Sequence, residues 1–475
     1  MSDRIPRRMR WALAAMLAAA AMDLIDTTIV NVAAPAVRAD LAAGDAQIEW
    51  AVAGYALAFG VGLITGGRLG DRFGRRPVFL AGVGGFVLTS LVSGLAPTAD
   101  VLVGGRVAQG AAAAVMIPQI LTVIQVAVPA EQRSKAYAAY GATAAIGTVS
   151  GPLLGGALVA ADLFGLGWRA IFLINVPIGL AALAVTAATL PDSRAARADR
   201  LDLPGVTLLA AALVMMLLPL VEGPQLGWPA WTIWLLVAAL PVFAAFVAHQ
   251  RRQQARGQNP LVALELLRAR SIAGGLVTQL GLYAGVTGFF LVFALTLQNG
   301  HGFSALGTGV TLVAWSVGIA VASGVAGQLA PRLGRRLTTA GALLMAAGMG
   351  GLLVAAASSG PQISGPALVP GLLVAGLGMG AVAPTLIEVA LRDVDPAHAG
   401  AASGIVTTSG QLGGAIGVAA TGAVYFATLG PTPGPADHTA ALTAVLWSQI
   451  GLFVLVALLM RLLPASRTAR SHRGT

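Results

Sequence analysis

Two carboxylates three residues apart, Asp23 and Asp26, interrupt an apolar run that extends from Trp11 to Ala36. Residues three apart are neighbours on a helix surface, so a helix here carries both acids on one face. The run is long enough to cross a hydrocarbon core of about 30 Å at about 1.5 Å per residue, which sets the acids at membrane depth. A charge at that depth costs roughly 2.5 to 3.5 kcal/mol on insertion scales, so the face must look into a bundle or a wet cavity. Two chemistries fit: a structural carboxylate that hydrogen-bonds a neighbouring helix, or an acid that exchanges a proton against a cargo. The second accounts better for a pair of acids, and Asn31 adds a further polar side chain to the same stretch.

Only 10% of the 475 residues are charged and 57% are hydrophobic, with a mean hydropathy of +0.81. Soluble domains carry roughly 25% charged residues, so this is an integral membrane protein. The net charge of +10 does not mark a nucleic-acid binder, because the arginines lie in short loops between apolar runs and form no compact basic domain. The absence of cysteine excludes disulfides, thiolate metal sites and cysteine nucleophiles. The five histidines, His249, His301, His398, His438 and His472, fall in loops or at run ends and form no metal set. No phosphate-binding loop is present, which excludes a primary pump within this chain. No metal or cofactor is expected, and the proton gradient is the energy source. The first run follows Arg4, Arg7, Arg8 and Arg10 as a signal peptide would, yet it is too long and too acidic to be one.

The elements that must position the acids are helices. Apolar runs predict fourteen transmembrane helices, near 11–36, 48–67, 77–95, 101–126, 136–160, 170–190, 203–221, 230–249, 272–297, 306–329, 337–357, 366–391, 400–429 and 443–463. With a cytoplasmic N-terminus, 26 of the 29 Lys and Arg fall in inside loops, and only Arg38 and Arg169 fall outside. That bias places both termini in the cytoplasm. The stretch Gly67 to Arg76 recurs 260 residues later as Gly327 to Arg336 with six of ten positions identical. Pro118 and Pro384 keep nearly the same offset, so two parallel six-helix halves follow, with the cargo site expected between them. The expected organisation is an N-terminal half over 1–190, linkers with two inserted helices over 191–271, and a C-terminal half with a tail over 272–475. Val286 falls opposite Asp26 in this register, so the second half has no matching acid.

The loop Gly67 to Arg76 resembles the signature between helices 2 and 3 of the major facilitator superfamily, and Leu102 to Ala114, with Arg106, Gln109 and Gly110, resembles its helix 4 motif. Asp26 to Ala33, Trp168 to Gly179, Ser403 to Ile405 and Gln411 to Gly417 resemble the fourteen-span drug:proton antiporters of the EmrB/QacA type. The resemblance implies a coupling site of Asp26, Asp23, Arg106 and Asn31, in which Asp26 carries the exchanged proton and Asp23 contributes less. Arg106 then faces the central cavity and tunes the acids; the alternative is a structural clamp on backbone carbonyls. It implies a conformational latch of Gly67, Asp71, Arg72, Gly74 and Arg75, in which Asp71 meets a helix N-terminus of the other half; simple charge balance within a basic loop is the bland reading. Pro331 replaces that acid in the second copy. It implies an antiporter helix-packing motif in Gly147, Gly151, Pro152, Gly155 and Gly156, small residues along one face that also fit ordinary helix packing. Gln279, Tyr283, Trp315 and Glu388 are weaker candidates for the cavity.

The expected function is a proton-coupled antiporter that exports drugs, antibiotics or other cationic or zwitterionic amphiphiles from a bacterium through its inner membrane. Its partners are a small-molecule substrate, protons and the bilayer, with a monomer as the expected state. A dedicated exporter of one self-made metabolite is the alternative within transport. A membrane receptor or membrane-embedded enzyme is the alternative from another class.

Overall fold

The computed structural model describes residues 6–193, 202–256, 260–262, 270–358, 363–391, 394, 399–429 and 434–460. All regular structure in it is helical: α1 (Arg7–Leu41), α2 (Asp45–Phe73), α3 (Arg75–Gly94), α4 (Ala99–Ala127), α5 (Ala130–Ala161), α6 (Ala170–Leu173), α7 (Asn175–Thr189), α8 (Leu203–Leu226), α9 (Ala230–Ala255), α10 (Arg270–Leu295), α11 (Ala305–Leu333), α12 (Arg335–Ser358), α13 (Gly365–Leu391), α14 (Ala399–Thr428) and α15 (Pro435–Leu459). Short 3₁₀ turns precede α6, and a π turn over Thr296–Gly300 extends α10. Twelve stretches are long and apolar enough to cross a membrane, among the described residues; α6 and α7 share one of them, Gly167–Thr189. The remaining two expected spans correspond to α5 and α14, which are not among the twelve.

The chain forms two compact units. Unit 1 comprises Met1–Ala127, Ile146–Leu264 and Val394–Thr408, and unit 2 comprises Val128–Ala145, Glu265–Asp393 and Ser409–Thr475, so α5 and α14 are each divided. In unit 1, α2 and α3 pack on α4, α1 and α3 on α7, and α1 touches α4. In unit 2, α11 and α12 pack on α13, α10 and α12 on α15, and α10 on α13. The two pairing schemes are the same once positions are matched, which is the structural counterpart of the repeated loop. Gly74 at φ 100° makes the turn from α2 to α3, a conformation that side chains disfavour, and Gly334 at φ 48° occupies the equivalent turn from α11 to α12.

The core of unit 2 gathers Phe289, Phe293, Trp315, Met345, Met349 and Phe453, all buried. That of unit 1 includes a cluster of Ile29, Val30, Val37, Trp168 and Phe172 beside the α1 acids. The pair α8 and α9 packs on itself, and α8 on α2. Asp202 caps α8 by accepting from the Gly205 backbone N–H at 3.0 Å, and its carboxylate also meets His249 at 2.8 Å and Gln250 at 2.9 Å. Burial pushes the Asp202 carboxyl up, but these donors outweigh it and hold the group below the ordinary carboxylate range. Arg68 of α2 donates to the Pro260 and Leu261 carbonyls, so the segment after α9 is fastened to the end of α2.

Candidate functional site

The acids of α1 stand in a polar cluster built from five helices of unit 1. Asp26 is fully buried, and so are Ser90 of α3, Gln109 of α4 and, at 1% exposure, Arg106 of α4 and Asn175 of α7. Arg106 Nη1 donates to Asp26 Oδ2, forming a buried ion pair. Gln109 Nε2 and Asn175 Nδ2 both donate to Asp26 Oδ1, at 3.0 and 2.7 Å, and both also reach the Ser90 hydroxyl, at 2.6 and 3.1 Å. Arg106 spends its other donors locally: Nε on the Ala51 carbonyl at 2.9 Å and Nη1 on Gln109 Oε1 at 2.7 Å. Its guanidinium lies 4.3 Å from the Tyr55 ring centroid and 5.8 Å from that of Phe172. Tyr55 in turn donates its hydroxyl to Asp23 Oδ1. A cation of this kind is retained in the hydrocarbon layer only when paired and hydrogen-bonded, and here both conditions hold.

Local sequence accounts for the placement. Arg106 and Gln109 are three apart and so share one face of α4. Gly110 lets that face close on α2, since a Cβ there would collide with the Tyr55 carbonyl, and this proximity lays Tyr55 under the guanidinium. Ile174, whose backbone stays helical, joins α6 to α7, and Asn175 at the start of α7 stands beside Asp26. Thr27 donates to the Asp23 carbonyl at 2.8 Å, and Thr28 to that of Leu24 at 3.0 Å, which keeps these hydroxyls satisfied within α1.

Of the sequence-predicted residues, Asp23, Asp26 and Arg106 are brought together, and the Asn31 side chain lies outside the described residues. Tyr55, Ser90, Gln109 and Asn175 were not singled out as site residues. The signal available was a polar side chain inside each of four apolar runs.

Around the end of α2, Asp71 Oδ1 accepts from the Gly400 backbone N–H at 3.1 Å, at the start of α14, and from Arg75 Nη2 at 3.3 Å. Gly400 sits against the Gly67 carbonyl, and Arg72 stacks 5.0 Å from the Phe73 ring. On α5, Gly147 faces Ala21 and Leu24, and Gly151 faces Ile25 and Thr28, so both press on the α1 turns that carry the acids. Gly155 is buried, nothing lies within 4 Å of a Cβ at Gly156, and the Pro152 side chain is outside the described residues. The remaining candidates lie in unit 2. Trp315 stacks on Phe289 at 5.8 Å and meets Phe290 edge-on at 5.1 Å. Gln279 is buried beside half-buried Tyr283, and Glu388 accepts from the Ser134 hydroxyl at 2.7 Å.

Comparison with known proteins decides the family, because residues 16–418 match the Major Facilitator Superfamily profile. The chain belongs to the major facilitator superfamily. This facilitator is 42% identical over 427 residues to a "Probable actinorhodin transporter" of Streptomyces coelicolor, covering 90% of the chain and 74% of that protein. It is 36% identical to the puromycin resistance protein pur8 of Streptomyces alboniger, over 98% and 92% of the two chains. With the multidrug resistance protein Stp of Mycobacterium tuberculosis it shares 35% identity, over 87% and 75%. Among solved structures it resembles the human organic anion transporter MFSD10 (TM-score 0.68, 17% identity, covering 96% and 100%) and the proton:xylose symporter XylE (0.65, 16%, 96% and 95%), a likeness of fold. The facilitator is a membrane transporter and not an enzyme.

Proposed function

We propose that this facilitator exports antibiotics and other amphiphilic drugs in exchange for protons, as a fourteen-span antiporter of the EmrB/QacA type in a bacterial cytoplasmic membrane. The observation that carries the reading is the buried Asp26–Arg106 pair with Asp23 beside it, in a chain whose relatives are named as antibiotic transporters and resistance proteins. An acid cluster holding one more carboxylate than cations suits cationic or zwitterionic cargo. Everted vesicles under an imposed pH gradient, screened with puromycin, actinorhodin and cationic dyes, test it. Uptake should follow the gradient and collapse with a protonophore; uptake indifferent to the gradient defeats proton coupling. Transport of one compound alone would favour a dedicated exporter.

Fourteen spans are supported by the repeat. The twelve candidates leave only five in each half once α8 and α9 are set aside, and the missing helix is the fifth in both. α5 has 32 residues and α14 has 30, enough for about 45 Å at 1.5 Å per residue, and both are rich in Gly, Ala, Ser and Thr. With both counted, the turns at Gly74 and at Gly334 are cytoplasmic. Reporters active only in the cytoplasm should give signal at both positions, and silence at either would mean an odd error in the count.

The Asp71–Gly400 bond is the latch of this mechanism. The carboxylate meets the positive end of α14, an interaction of about 1 kcal/mol that shifts a two-state balance roughly fivefold. Asp71→Asn should therefore slow transport several-fold while leaving cargo affinity intact, read by spin-label distances beside equilibrium binding. Lost affinity with unchanged distances would place Asp71 in the cargo site instead.

A further inference from the structure

We propose that the two acids of α1 divide the work: Asp26 remains the fixed charge partner of Arg106, and Asp23, held by the Tyr55 hydroxyl, takes up and releases the exchanged proton. This deepens the proton-coupled reading above and rests on it. The family resemblance favours Asp26 as the carrier, but the partners of the two acids point the other way. Asp26 is 0% exposed, with one oxygen on the Arg106 guanidinium and the other shared by the Gln109 and Asn175 amides. All three partners are donors, so a proton on Asp26 would have to sit on the Oδ2 oxygen that faces Arg106 and would leave the guanidinium buried without its counter-charge. Asp23 keeps 5% exposure, and among the described residues its carboxylate takes a hydrogen bond from Tyr55 and no ion pair. A carboxylate with one hydroxyl partner gains a proton without losing any contact, since the neutral acid still accepts from Tyr55 through its carbonyl oxygen.

The titratable and charged groups facing Asp23 are Asp26 on its own helix, Tyr55 on α2 and Arg106 on α4. Ser90 on α3 and Asn175 on α7, which do not titrate, belong to the cluster around Asp26, and Gly147 and Gly151 of α5 pack on Ala21, Leu24, Ile25 and Thr28 of α1. With Arg106 and Asp26 cancelling, the cluster carries one negative charge when Asp23 is ionised and none when it is protonated. A cationic cargo and a proton therefore compete for the same single charge, and the competition is reciprocal by linkage. On the acidic side a hydronium ion gives its proton to the Asp23 carboxylate and an O–H bond forms; on the other side that bond breaks, water takes the proton and the carboxylate is restored. Tyr55 is a positioning residue, tied to Arg106 through its ring and to Asp23 through its hydroxyl.

The test uses the full chain in liposomes with ethidium as the cargo probe, together with infrared spectra of the carboxylic acid C=O stretch across pH. One-for-one exchange sustains about a tenfold ethidium gradient per pH unit. Asp23→Asn should abolish that gradient, and Asp23→Glu should restore it. The titrating C=O band should be present in the unmodified protein and in Asp26→Asn, and missing from Asp23→Asn. Tyr55→Phe should move the pH at which the band appears, which a merely structural tyrosine would not do. The infrared arm requires no cargo and decides by itself. A band that persists in Asp23→Asn and vanishes in Asp26→Asn overturns the division of labour and returns the proton to Asp26. Full coupling in both single variants brings down the acid-pair reading as a whole.

Discussion

Replacement of Arg106 by leucine should abolish export and destabilise the folded protein by about 3 to 5 kcal/mol, the cost of removing one partner from a buried charge pair. The leucine fills much of the volume but leaves the Asp26 carboxylate buried with two amide donors and no cation, and leaves the Ala51 carbonyl without its guanidinium donor. Arg106→Lys should fall between, because an ammonium keeps the charge but cannot hold Asp26, Gln109 and the Ala51 carbonyl in one plane while stacking on Tyr55. The second change Asp26→Asn should return most of the stability lost in Arg106→Leu, since neutralising both partners removes the uncompensated charge. Thermal melting in detergent measures all four proteins. A double variant no more stable than Arg106→Leu would mean that the residue acts as a clamp on Ala51 and Tyr55, the alternative its sequence context leaves open, rather than as a counter-charge.

The residues legible in the sequence were those whose charge conflicts with their surroundings. Asp23, Asp26 and Arg106 stand out because an ion in an apolar run has a cost that must be answered elsewhere in the structure. Ser90, Gln109 and Asn175 do not stand out, because neutral polar side chains enter membrane helices at small cost, and their convergence on Asp26 depends on the registers of α3, α4 and α7 against α1. Tyr55 is harder still: its importance lies in pointing at two other residues, a property that no single-helix pattern carries. Gln109, three residues after Arg106 on the same face, was the one amide that spacing alone could have added to the site. At the level of fold, the repeated loop announced the two like sets of helix pairs. The sixth run, read as one helix, keeps a helical backbone through Ile174 between α6 and α7 and forms one candidate span, Gly167–Thr189. The small residues of α5 let it approach α1 closely, Gly147 against Ala21 and Leu24 and Gly151 against Ile25 and Thr28.

That close approach leads to the last expectation, that Gly151→Leu should eliminate export. A Cβ at Gly151 would overlap Thr28 Oγ1 and lie 2.9 Å from the Ile25 carbonyl oxygen, both on the α1 turn that carries Asp26. One added methyl there has no free volume, and overpacking of this kind costs about 1 to 3 kcal/mol. α1 relieves it by moving away from α5, which disturbs Asp26 against Gln109 and Asn175, whose bonds of 3.0 and 2.7 Å tolerate little displacement. The glycine series then ranks by geometry. At Gly147 a Cβ meets the Leu24 Cβ at 2.8 Å and the Ala21 carbonyl oxygen at 3.2 Å, so alanine there should reduce export partly; at Gly156 nothing lies within 4 Å, and alanine should be neutral. Gly151→Ala belongs between Gly147→Ala and Gly151→Leu. Export rates normalised to the amount of folded protein in the membrane give the ranking, and equal losses at Gly151 and Gly156 would mean that the stripe acts elsewhere than on α1.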